Sequence, residues 1–162
     1  ILVRAVGSSQ PLHICRDTLR LGLDQPSVQC RKMFFEITGR AGSLLPSPDY
    51  GLLQLTNAQG VPQEAVSICR IASVRITSAV YNEAITYLPA PVPAPTGCSA
   101  ACENAVRSYL PVGTPGVDIN AGGQTGGQGT VIRNEFAMVV LVGPNNSDPT
   151  FVSACKAEII TK

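Results

Sequence analysis

The chain has 162 residues, of which 14% are charged, against roughly 25% in soluble domains generally, and its net charge is +1. That length suits one domain with a real hydrophobic core. A balance so near neutral, with no basic cluster beyond Arg31-Lys32, argues against a nucleic-acid surface, and the longest apolar run, Phe136 to Val142, is far short of the ~20 residues that would insert into a membrane.

The first element is Ile1-Leu-Val-Arg-Ala-Val6, apolar at every position but Arg4. Read with period two, Ile1, Val3, Ala5 and Gly7 form a wholly apolar face, and Leu2, Arg4, Val6 and Ser8 a mixed one. Ile1 is not an initiator residue, so either a presequence has been removed or the sequence covers only the mature part of the protein. Gly7-Ser8-Ser9-Gln10-Pro11 then breaks the run and has the make-up of a hinge. The expected organisation is therefore an N-terminal strand and hinge over 1–10 and a disulfide-bearing domain over 11–162.

Period two continues along most of the chain. Cys15, Leu19, Leu21 and Leu23 share a parity, as do Met33, Phe35 and Ile37, with Gly39 closing that segment. Gly51 to Thr56 is a further short candidate. Val66, Ile68, Ala72, Val74 and Ile76 oppose Ser67, Ser73, Arg75 and Thr77, and Tyr81, Ile85 and Tyr87 form a weaker set. Near the end, Ile132, Phe136, Met138, Val140 and Val142 form one set, and Phe151, Cys155, Ile159 and Thr161 another. About eight strands separated by turn residues predict an all-β fold, an antiparallel β-sandwich of jelly-roll or immunoglobulin-like type.

Three stretches depart from that rhythm. Pro89 to Pro95 has proline at every second position, which predicts an exposed polyproline II segment. Residues 99–110 predict one short helix, with Ala101, Cys102, Ala105, Val106, Tyr109 and Leu110 in one stripe, Ser99 as N-cap and Pro111 as the stop. Gly113 to Gly129 reads as a flexible glycine-rich surface loop. It has no lysine and a strand rather than a helix follows, so it is not a phosphate loop.

Cys15, Cys30, Cys69, Cys98, Cys102 and Cys155 are an even set, expected in three disulfides whose connectivity the sequence leaves open among fifteen pairings. Asn145-Asn146-Ser147 is a glycosylation acceptor in a turn. Together these features point to a secreted or cell-surface protein.

Candidate chemistry is sparse. His13, the only histidine, has Asp17 nearby as a potential orienter, yet no Gly-x-Ser-x-Gly elbow accompanies it, and a histidine near a strand start is the preferred reading. Zinc on Cys98, Cys102, His13 and one more cysteine is the alternative to disulfide staples, and a Cys-x₃-Cys spacing without a second pair argues weakly for it. No cofactor, metal or enzymatic activity is expected. The expected function is that of an extracellular structural subunit, a self-associating homopolymer in which Ile1, Leu2, Val3, Ala5 and Val6 form a strand donated to the neighbour. That geometry is known in bacterial pilins, and it serves here as a mechanical analogy without a shared motif. A monomeric secreted binding or matrix glycoprotein module, with attached glycans, is the alternative, and a small secreted hydrolase the third.

Overall fold

The computed structural model describes residues 2–8, 32–38, 40–45, 52–67, 70–87, 89–121 and 123–162. Among them, β1 (Leu2–Ser8), β2 (Lys32–Thr38), β3 (Arg40–Leu45), β4 (Leu52–Thr56), β5 (Pro62–Ser67) and β6 (Ile71–Arg75) precede helix α1 (Cys98–Tyr109). After the helix come β7 (Val117–Ala121), β8 (Thr125–Glu135), β9 (Met138–Val142), β10 (Thr150–Ser153) and β11 (Ala157–Thr161). Every strand pairing is antiparallel. The large sheet runs β11-β7-β8-β9-β10-β6-β1-β2, and β3-β4-β5 form a small separate one.

The fold is thus mostly β and antiparallel with one short helix, as the period-two pattern requires. Its two sheets are unequal, and the larger encloses its core by curling. Gly127 on β8 shows how far. A Cβ there would lie 2.8 Å from Val152 Cγ2 and 3.0 Å from Thr150 Cγ2, both on β10, and 3.1 Å from Leu141 Cδ1 on β9. Only a strand without side-chain bulk lets the start of β8 approach β10, a strand two places away in the sheet. Gly129 is tighter still, with φ +142° and the Val142 carbonyl oxygen 2.1 Å from where a Cβ would sit. The glycine-rich stretch expected as a surface loop is therefore largely sheet, holding all of β7 and the start of β8, with Gly126 and Gly127 buried. Gly127→Ala should cost about 1–3 kcal/mol by overpacking. Chemical denaturation checks this, and an unchanged midpoint would refute the close approach.

Inside the curl, Ala72, Val117, Ile119, Ala121, Val131, Val139, Leu141 and Val152 pack with Leu110 of the segment leaving α1. On the outer face, Val140 and Val142 are buried with Tyr81, flanked by Ile132, Met138, Phe151, Ile85 and Tyr87. Strand β9 is thus covered on both faces, which accounts for its unbroken apolar run. Leu55 and Val66 of the small sheet pack with Ile71 and Val74 of β6.

Several predicted elements fall differently. The set from Val66 to Ile76 is divided between β5 and β6, which belong to different sheets. The set from Ile132 to Val142 is a hairpin whose two-residue loop, Phe136-Ala137, preserves parity and so is invisible to it. Phe151 to Thr161 is β10, in the middle of the sheet, a 3₁₀ turn at Ala154–Lys156, and β11, which pairs with β7 at the sheet's edge. Tyr81 to Tyr87 forms no strand; it covers the outer face, held by a bridge between Val80 and Ser147 and by the Tyr81 N–H donating to the Asn146 carbonyl. Residues 89–97 are all exposed and lie outside strand and helix, with a cis Val92–Pro93 bond rather than an uninterrupted polyproline II helix. The candidate strand from Cys15 to Leu23 lies outside the described residues.

Helix α1 begins one residue early, capped by Gly97 (φ 98°) rather than by Ser99, and ends as expected before Pro111. Its buried face is also rotated. Ala101, Cys102 and Ala105 are exposed and Tyr109 is half exposed, whereas Glu103 and Leu110 are buried. The residues turned inward follow i, i+3, i+4, i+7 through Glu103, Val106, Arg107 and Leu110. A carboxylate holds an inner position because its oxygens find donors there.

Candidate functional site

Strand β1 is internal to the large sheet, pairing with β2 on one side and β6 on the other. In that register Val3 stands opposite Ile37 on β2 and Val74 on β6, and Val74 in turn stands opposite Phe151 on β10. Ala5 stands opposite Phe35 and Ile71. On the other parity Leu2 meets Thr38 and Arg75, and Arg4 meets Glu36 and Ser73. The alternation read from residues 1–8 thus corresponds to an apolar row across four strands beside a mixed one, in which Val6 stands opposite Phe34. A bulge between Arg4 and Ala5 interrupts the β6 side. Of the expected interface strand, Leu2, Val3, Ala5 and Val6 are in β1, while Ile1 and the hinge residues Ser9, Gln10 and Pro11 lie outside the described residues.

A cleft of about 220 Å³ opens near the other end of β6, lined by Arg75, Thr125, Gln128, Ser147, Asp148 and glycine backbone. Asp148, at φ 48°, accepts from the Ser78 N–H at 2.7 Å and from Arg75 Nη2 at 3.0 Å. The Ser78 N–H first, and then the Arg75 guanidinium, hold its carboxyl below the ordinary value of 3.8. A carboxylate with a lowered folded-state pKa contributes stability above its unfolded value, lost as pH falls through the folded one. The tie between the Ile76–Ala79 turn and Asp148 should therefore stay formed at pH 3.8 and open only below it. The Ser78 amide resonance followed through an acid titration checks this; a midpoint at or above 3.8 would contradict it. The cleft offers hydroxyl, amide and guanidinium groups to a small polar ligand.

The third arrangement joins α1 to the sheet. Glu103 is 3% exposed. Its Oε1 accepts from Arg107 Nε at 2.5 Å and from the Ala137 N–H at 2.7 Å, and Oε2 accepts from Arg107 Nη2 at 3.3 Å. Ala137, left-handed at φ 62°, passes the tie onward, its carbonyl accepting from the Ala154 N–H at 3.0 Å. Asn134 Nδ2 donates to the Arg107 and Leu110 carbonyls at 2.6 and 2.7 Å, closing the helix C-terminus from β8. Sequence reading missed this clamp, although Glu103 and Arg107 stand four apart, the spacing of an ion pair on a helix. At the exposed rim of the outer cover, Arg133 pairs with Glu83 and donates from Nε to the Tyr81 hydroxyl at 3.3 Å. Burial, and then the bond to Tyr81 at 2.8 Å, push the Tyr87 hydroxyl up.

Cys102 and Cys155, both expected in disulfides, are free thiols exposed to solvent. Cys98 opens α1, and Cys15, Cys30 and Cys69 lie outside the described residues, as do His13 and Asp17. Among the described residues, no three His, Cys, Asp or Glu side chains gather as a metal site. Also among them, no helix is long and apolar enough to cross a membrane. Asn145 is exposed in the turn Pro144–Asn146, at φ 56°. No family model, curated protein or solved structure matches the chain.

Proposed function

We propose that the chain is an extracellular structural subunit that polymerises by exchanging β1 with its neighbour, its two sheets serving as the layers of a distorted jelly-roll or immunoglobulin-like sandwich. The observation that carries this reading is the slot between β6 and β2. A strand held on both sides by backbone ladders leaves two open edges when it departs, and an identical strand from a second copy restores every pair in the same register. Exchange therefore needs no new complementarity. The register row Val74–Val3–Ile37 is apolar throughout, and Gly7-Ser8-Ser9-Gln10-Pro11 has the composition of a hinge. Head-to-tail transfer of this kind does not close, so it builds filaments. An exposed Asn145 suits a glycan on such a surface.

One observation favours a second reading. β1 completes its own sheet in cis, which suits a monomeric secreted binding or matrix module presenting the Arg75–Asp148 cleft and the exposed proline tract. Size-exclusion chromatography with light scattering at two concentrations, followed by electron microscopy, separates them. Concentration-dependent filaments are expected; a monomer at every concentration, before and after refolding, would favour the module.

A further inference from the structure

We propose that oxidation closes Cys102 and Cys155, which stand as free thiols in this structure, into one disulfide that cross-links α1 to the 3₁₀ turn between β10 and β11. The turn Ala154–Lys156 lies directly against the helix. What holds the two together is the relay from the Glu103 carboxylate through the Ala137 backbone to the Ala154 N–H. Cys102 is the residue before Glu103, and Cys155 the residue after Ala154, so each thiol flanks one end of the relay. Both are exposed, hence open to an oxidant and free of the core packing that would resist rotation of their side chains. Position 98 opens α1, a further turn from Glu103 along the helix than position 102. This pairing deepens the extracellular reading above, since it requires an oxidising compartment.

The step balances with a small-molecule disulfide such as glutathione disulfide as oxidant. The Cys102 thiolate attacks one of its sulfurs and expels a glutathione thiolate. The Cys155 thiolate then displaces the second glutathione from the mixed disulfide. The protein loses two protons and two electrons, and two glutathione molecules leave reduced. With this pair assigned, Cys15, Cys30, Cys69 and Cys98 retain only three possible pairings instead of fifteen overall.

The test is disulfide mapping of the whole chain after refolding in a glutathione redox buffer, by proteolysis and mass spectrometry without reduction. A peptide containing Cys102 linked to one containing Cys155 is expected. Cys102→Ser, Cys155→Ser and the double variant should each lower Tm by about 10 °C, and by the same amount, because each removes the same single cross-link. Linkage of either cysteine to Cys98, Cys69, Cys30 or Cys15, or both remaining alkylatable after oxidation, would overturn the pairing. Additive losses in the double variant would do the same. Polymerisation is scored separately by light scattering, so a failure of strand exchange is distinguishable from a failure of this bond.

Discussion

A chain lacking residues 1–7 is expected to lose self-association, and to recover a folded, more stable state when a synthetic ILVRAVG peptide is added. The deletion removes the partner of β6 and of β2 together. Losing both ladders of an internal strand, at about 0.5–1.5 kcal/mol for each hydrogen bond, is large beside a domain stability of about 5–15 kcal/mol. The open β6 edge would also expose unpaired backbone groups, so the truncated chain should be prone to aggregate. Peptide binding by calorimetry, with the rise in Tm it brings, is the readout. Val3→Asp is the finer probe, because it puts a carboxylate at the register position between Val74 and Ile37. It should abolish association while the β7–β9 region keeps its near-native spectrum. A truncated chain as stable as the intact one, and indifferent to the peptide, would mean that β1 contributes little to either assembly or fold.

Glu103→Ala should destabilise the domain by about 3 kcal/mol or more. The substitution strands the Arg107 guanidinium and deprives the Ala137 N–H of its acceptor in one change. The damage reaches further than one pair, because Ala137 is held in a left-handed conformation that a non-glycine residue adopts at a cost. Ala137→Gly introduced into the same background should recover part of the loss, since glycine adopts that backbone without strain. Glu103→Gln, which retains an acceptor oxygen but not the charge, should cost less than the alanine variant. Urea denaturation of the four proteins checks the order. If Glu103→Ala were neutral, the buried clamp would not be what fixes α1 to the sheet.

These two regions differ in how much the sequence announces. The alternation in residues 1–8 and 32–38 corresponds to strands β1 and β2, and the register puts Val3 opposite Ile37 and Ala5 opposite Phe35, as equal parity requires. What parity cannot convey is where a strand ends. The Phe136-Ala137 loop has an even number of residues, and the turn Ala154–Lys156 carries Cys155 between a central strand, β10, and the edge strand β11. The helix was legible in extent and misread in phase. A stripe of Ala101, Cys102, Ala105 and Tyr109 looks apolar, but small and amphipathic side chains are tolerated in water, and a glutamate among them carries no local sign of burial. Its burial depends on an N–H of Ala137, a residue 34 positions away, which no local window contains. The glycines of β8 failed for a related reason. Gly127 is small because β10 passes 2.8 Å from its missing Cβ, a long-range contact that in sequence resembles a flexible loop.

The central claim, exchange of β1 between copies, is tested most directly by isotope-mixed cross-linking. Chains carrying a photo-cross-linking phenylalanine analogue at position 3 would be prepared in ordinary and in ¹⁵N-labelled form, unfolded together, refolded and irradiated. Cross-linked peptides joining residues 1–7 to β2 or β6 would then be weighed by mass spectrometry. Strand exchange predicts mixed-isotope and same-isotope pairs in comparable amounts. Same-isotope pairs alone would contradict it and leave β1 as a strand of its own sheet.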